Sequence, residues 1–152
     1  MTKKNTISIT ITLALSLLCL GLNISFAQTQ SQTILLKEGF NFVGIQLKPN
    51  ITPQQLTEQN PSVEDIYLYN SSAGSFISVK EGTLSTFNIG KGYIFKSNSS
   101  ITLTMQGDLT STTDILYLKQ GFNLIGVIKP YDITFTALLR KYNEISGIYK
   151  WS

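Results

Sequence analysis

The 152-residue sequence is weakly basic, with 12 Lys and Arg against 9 Asp and Glu, and it holds one Cys and no His. That composition excludes Ser-His and Cys-His nucleophilic pairs, and it excludes metal sites built on imidazole. A formal charge of +3 gives no evidence for a nucleic-acid partner.

The chain opens with Lys3 and Lys4, an uncharged and largely apolar run from Ile7 to Ile24, and the small-x-small site Ser25-Phe26-Ala27. This order reads as a secretory signal peptide over residues 1–27, cleaved after Ala27. An uncleaved membrane anchor is the competing reading, because the run is long enough to span a bilayer. Its interspersed Ser and Thr argue against that. Cys19 raises a lipid anchor, but Leu17 and Leu18 stand where a lipoprotein signal wants a small residue. Cleavage removes the only Cys, Lys3 and Lys4, so the mature chain keeps a charge of about +1 and no thiol. An exported chain is free to form disulfides; this one must rely on an apolar core. The remaining ~125 residues suffice for one.

The first mature segment contains Thr33-Ile34-Leu35-Leu36-Lys37, Glu38-Gly39, then Phe40 to Leu47. Two apolar runs around a Gly-containing two-residue turn predict a β-hairpin. The second run puts Phe40 and Phe42 on one face and Val43 and Ile45 on the other, which predicts a central strand covered on both sides. Gly39 is expected at positive φ, and Asn41 is expected to hold backbone groups beside the turn. Thr52, Pro53 and Gln55 then spell N-cap, first helical position and N3 of a capping box, so a short helix is expected up to Asn60-Pro61.

Val63 to Tyr69, a Ser/Ala/Gly turn, and Ser75 to Val79 predict a second hairpin. Glu64 and Asp65 are adjacent in its first strand and are expected on opposite faces. Tyr67 and Tyr69 share a face, with Phe76 on the paired strand. A Gly90-Lys91-Gly92 turn with both glycines at positive φ leads to a strand from Tyr93 to Lys96. Its partial likeness to a phosphate loop fails, because no Ser or Thr follows Gly-Lys and Ser85 occupies the upstream Gly position. An Asn-Ser-Ser turn precedes Ile101 to Met105, where Ile101, Leu103 and Met105 alternate with Thr102 and Thr104 as in a half-exposed antiparallel strand.

The opening phrase then recurs. Leu36, Lys37, Gly39, Phe40, Asn41 and Gly44 align with Leu118, Lys119, Gly121, Phe122, Asn123 and Gly126 at an offset of about 82. At the same offset Ile51, Thr52 and Leu56 meet Ile133, Thr134 and Leu138, Ile66-Tyr67 meets Ile148-Tyr149, and Tyr69 meets Trp151. Gly121 and Asn123 are therefore expected to repeat the roles of Gly39 and Asn41. The expected organisation is a complete module over 28–108, a linker over 109–113, and the first half of a second module over 114–152. No counterpart of Ser71 to Gly107 follows, which suggests a piece of a longer repeat protein. Alternatively, the half copy supplies strands that complete the first copy's sheet. The expected fold class is mainly β, a small α+β module of antiparallel strands in a sandwich or barrel-like arrangement, with about six strands and one short helix per repeat.

In that order the segments "L-x-x-G-[WF]-N-[LF]-[IV]-G", "I-Y-x-[YW]", "G-K-G-Y-[IW]" and "T-L-T-x-x-G" resemble a tandem repeat module of bacterial secreted and cell-surface proteins. The match covers nearly all of the mature chain. Phe40, Phe122 and Ile94 stand where that module commonly has Trp. The resemblance implies an accessory, non-catalytic extracellular module, and it carries over no ligand and no catalytic residue.

Paired carboxylates are the remaining catalytic possibility. Glu64-Asp65 has no second copy, since Ser146-Gly147 stands there, which argues against catalysis by that pair. No catalytic, metal or cofactor residue is expected. Tyr67, Tyr69, Phe76, Tyr93 and Trp151 are the candidate ligand contacts: an exposed aromatic platform stacks on sugars or anchors a protein. The competing reading of the same aromatics is core packing. The expected function is adhesion, assembly or spacing by an exported, non-enzymatic surface module. The alternative is a carbohydrate-binding accessory module of a secreted hydrolase. Partners would be protein or polysaccharide at the cell surface, with no nucleic acid and no membrane after cleavage.

Overall fold

Positive φ at Gly39 (95°) and Gly121 (92°) marks the same sharp bend twice in the chain. The computed structural model describes residues 29–109, 117–126 and 134–150. Residues 1–28, with the expected leader, residues 110–116, with most of the expected linker, and Trp151 lie outside these residues.

Residues 29–108 form seven strands and one helix: β1 (Thr29–Leu36), β2 (Gly39–Gly44), β3 (Lys48–Pro49), α1 (Pro53–Gln59), β4 (Val63–Asn70), β5 (Ser75–Ser78), β6 (Gly92–Ser97) and β7 (Ile101–Asp108). A second helix, α2 (Phe135–Lys141), lies in the segment whose sequence aligns with α1. The strands form two antiparallel sheets, a three-stranded one ordered β1-β7-β3 and a four-stranded one ordered β2-β6-β4-β5. They make a small α+β sandwich and not a closed barrel. Between them lies a core that includes Ile34, Leu36, Val43, Ile66, Tyr93, Phe95, Leu103 and Met105. Each such side chain is worth roughly 1.5–3 kcal/mol when removed from water.

The hairpin expected of β1 and β2 is not formed. β1 pairs with β7, from Thr29↔Asp108 to Leu36↔Ile101, whereas β2 pairs with β6. The bend at Glu38-Gly39 is a corner that carries the chain from one sheet to the other. The side chain of Asn41 closes it. Its Oδ1 accepts from the Lys37 N–H at 2.9 Å, and its Nδ2 donates to the Lys37 carbonyl at 2.8 Å and the Gly39 carbonyl at 3.1 Å. Asn123 makes the same three bonds to Lys119 and Gly121, at 3.0, 2.7 and 3.1 Å. β2 is also an edge strand among the described residues, not a central one. Phe40 and Phe42 point outward from it, and Phe40 is 62% exposed.

Other elements follow the sequence closely. The α1 capping box is complete: Thr52 Oγ1 accepts from the Gln55 N–H, and Gln55 Oε1 accepts from the Thr52 N–H. Pro53 and Leu56 bury the inner face of α1, which lies against β4. β4 and β5 form the expected hairpin, with Tyr69 opposite Phe76. In β7, Leu103 and Met105 are buried while Thr102 and Thr104 are exposed.

The aligned segment from Leu118 onward keeps the corner and half of the helix cap, since Thr134 Oγ1 accepts from the Ala137 N–H. It lacks a regular β2: Ile125 makes one isolated bridge, to Lys91. Ile148-Tyr149 is not a strand either. At the same offset no segment of the sequence aligns with β6 or β7 to pair with such strands. Leu36 is 3% exposed and its counterpart Leu118 is 44% exposed.

Two outcomes follow. Gly39→Val forces a β-branched residue into positive φ and should cost on the order of 1–3 kcal/mol; Asn41→Ala should cost about 1–2 kcal/mol through the lost corner bonds. Urea unfolding reads both, and an unchanged midpoint in either would remove the corner from the account. Among the described residues both sheets are built from strands within residues 29–108, so residues 28–108 should unfold cooperatively at nearly the midpoint of 28–152. A short chain already unfolded without urea would mean that residues after 108 complete the sheets.

Candidate functional site

The outer face of the four-stranded sheet gathers most of the aromatics singled out in the sequence. Its cross-strand rows are Phe42–Ile94–Tyr67 and Tyr69–Phe76, with Phe40 beside Lys96. Tyr69 and Phe76 meet edge to face at 5.2 Å between ring centroids, and Phe40 and Tyr67 meet tilted at 6.4 Å. Phe76 is 49% exposed. Tyr67 and Tyr69 are half-buried and face outward, because the alternate residues Ile66 and Leu68 take the core side.

Tyr93 does not belong to this face. It is fully buried, its ring packs edge to face on Phe87 at 5.3 Å, and its hydroxyl accepts from the Asn88 N–H at 2.6 Å. Burial raises its pKa, partly offset by the Asn88 bonds. Phe95, its neighbour on the inner side of β6, is equally buried. The parity of β6 decides this: Tyr93, Phe95 and Ser97 point inward, and Ile94 and Lys96 point outward. Phe40, which the candidate set lacked, stands in its place. Its signal was present in the pairing of Phe40 and Phe42 opposite Val43 and Ile45.

Glu64 and Asp65 do not point to opposite faces. A register shift between Val63 and Asp65 in the pairing of β4 with β6 is a β-bulge, which places two residues against one. Both acids therefore turn toward Lys96. Glu64 bonds Lys96 Nζ at 2.7 Å, which lowers the Glu64 pKa and raises that of Lys96. Asp65 is buried, and its Oδ1 accepts from the Ile66 N–H at 2.8 Å and the Lys80 N–H at 3.1 Å. Beside them, burial raises the Tyr67 pKa, and the charge of Asp65 raises it further. The pair thus combines an ionised, neutralised Glu with an Asp that pins a loop. The ion pair holds Glu64 in its charged form, whereas a general acid must keep its proton.

The glycines of the Gly90-Lys91-Gly92 segment divide their roles. Gly90 has φ 76°, as a turn requires, but Gly92 is not at positive φ. It opens β6 at a point where Leu124 and Ile125 come close. Between β1 and β2 the corner leaves an open groove of about 570 Å³, lined in part by Gln32, Ile34, Phe40, Asn41, Phe42 and Val43. Gln32 crosses from β1 to the end of β2, donating to the Gly44 carbonyl and accepting from the Gln46 N–H. Among the described residues no cluster of His, Cys, Asp and Glu is placed to hold a metal, and no helix is long and apolar enough to cross a membrane.

Comparison with protein-family models, with curated proteins and with solved structures returns no match for the chain.

The arrangement supports binding by stacking and apolar contact. The rings lie on a sheet, held by hydrogen-bonded strands, and the only ion pair among the described residues sits beside them with its charges cancelled. A pH titration of stability tests that pair. Glu64 is lowered from 4.5 and Lys96 raised from 10.5. The Glu64 contribution is therefore present above the ordinary carboxylate value and fades as pH falls through its lowered one. The Lys96 contribution is present below the ordinary lysine value and is lost as pH rises through the raised one. Glu64→Gln should flatten the acid limb of the curve and leave its shape from pH 6 to 8 unchanged. Both groups are solvent-screened, so the effect should be small and should shrink in salt.

Proposed function

We propose that the chain is an exported, non-catalytic β-repeat module of a surface or extracellular protein, working in adhesion, assembly or spacing. The observation that carries this reading is the corner built twice. Lys37, Gly39 and Asn41, and then Lys119, Gly121 and Asn123, make the same turn with the same three side-chain bonds. A chain that repeats a costly local structure is repeating a structural unit. The leader-like order of residues 1–27 supports export, and the resemblance to secreted repeat modules agrees with it.

The exposed rings of Phe40, Tyr67, Tyr69 and Phe76 favour a second reading, a carbohydrate-binding accessory module of a secreted hydrolase. Aromatic faces stack on sugar rings as readily as on apolar protein surface. The two readings separate in one experiment. The full sequence is expressed with its leader in a bacterial host, and exported material is examined by mass spectrometry and by electrophoresis through gels containing neutral polysaccharides. The proposed reading expects a mature protein beginning at Gln28 and unretarded migration. Retardation that is lost in Tyr67→Ala or Phe76→Ala would establish the second reading. Intact Met1–Ala27 in a membrane fraction would replace export with anchoring.

A further inference from the structure

The place where the two copies touch is built from backbone. Leu124–Gly126 runs antiparallel along Gly90–Gly92. The Gly92 N–H donates to the Leu124 carbonyl at 3.1 Å, and the Gly126 N–H donates to the Gly90 carbonyl at 3.0 Å. Lys91 and Ile125 are bridge partners between these two bonds. The fit leaves no room for a side chain. A Cβ on Gly126 would stand 2.7 Å from the Lys91 oxygen and 2.8 Å from the Gly44 Cα. A Cβ on Gly92 would stand 3.0 Å from the Ile125 oxygen. The obstacles to Gly126 are main-chain atoms, which cannot rotate away; at Gly92 the nearest atom is Leu124 Cγ, at 2.9 Å, with the Ile125 main chain directly behind it.

We infer that Gly90-Lys91-Gly92 is a docking ledge for the next repeat, and that its occupant is the Leu-Ile-Gly end of that repeat's corner strand. This deepens the repeat-module reading and rests on it. Two features make the joint specific. The first is the identity of the residues that meet: Gly44 and Gly126 are aligned counterparts, so the same position of both copies is in contact. The second is the source of the polar partners. Gly92 opens a strand and Gly90 closes a turn, and each would otherwise have a backbone group left to water. The Gly-Lys-Gly segment thereby acquires a role that neither a phosphate loop nor a plain turn explains. One glycine makes the bend, and the other lets a neighbouring main chain approach. The joint, and not the polar linker alone, sets the position of the second corner relative to the first.

Amide hydrogen exchange on the full chain tests this. The Gly92 and Gly126 amides should be protected in the parent protein. Gly126→Ala should lower protection at Gly92 at least tenfold, while Phe95 and Ile66 in the core keep theirs. Gly92→Ala should do the same to Gly126 from the other side of the joint. The Lys119 amide, bonded within its own corner by Asn123, serves as the separate readout. If it stays protected while Gly92 exchanges as an open chain, the joint is absent and the repeat reading stands. If Lys119 also exchanges as an open chain, the second corner is not formed and the repeat reading falls with the joint. Unchanged Gly92 protection in Gly126→Ala would overturn the inference.

Discussion

The architecture depends on one corner. Lys37 to Asn41 sends the chain from the three-stranded sheet to the four-stranded sheet, and everything after it is assigned by that step. Had β1 and β2 remained in one sheet, Ile34 and Leu36 could not face Val43 across an apolar layer. The corner combines a glycine at positive φ, which is open to few other residues, with an amide that satisfies three backbone groups. Buried or half-buried backbone needs such partners wherever a sheet ladder is interrupted. Asn41 is short enough to reach back to Lys37 and carries both a donor and an acceptor, so a single side chain closes the bend.

The two corners show what such a bend does with and without the rest of a sandwich. In the first, the strands on either side of it find β7 and β6, and Leu36 and Val43 are buried. In the second, the same local bonds form, but Leu118, Phe122 and Ile125 remain exposed. Local hydrogen bonding is therefore sufficient for the bend and insufficient for the strands. Strands draw their stability from cross-strand pairs and from burial, and those come from residues far along the chain.

This division explains what could be read from the sequence. Features set by near neighbours were legible: positive φ at Gly39 and Gly121, the Thr52-Gln55 capping box, the β4–β5 hairpin, the alternation in β7. Each depends on contacts within a few residues. Features set by distant pairing were not. A two-residue Glu-Gly bend between apolar runs looks the same whether the runs pair with each other or with strands far along the chain. The bulge before Asp65 shifted the parity of one residue and brought two acids to one face. Tyr93 and Tyr67 are alike in composition and setting; only the phase of their strands puts one in the core and the other outside. The aromatic face was half legible for this reason, with Tyr67, Tyr69 and Phe76 correctly grouped, Tyr93 misplaced and Phe40 overlooked. Trp151 lies outside the described residues.

The pairing of β1 with β7 has a mechanical side. Thr29 stands opposite Asp108, so the sandwich is entered and left at one end of the same antiparallel ladder. Tension applied through the chain on either side would draw those two ends directly apart. The ladder would then be peeled from Thr29↔Asp108 inward, with one rung under load at a time, and not sheared with all rungs sharing it. A module loaded in this way yields at low force and releases its length gradually.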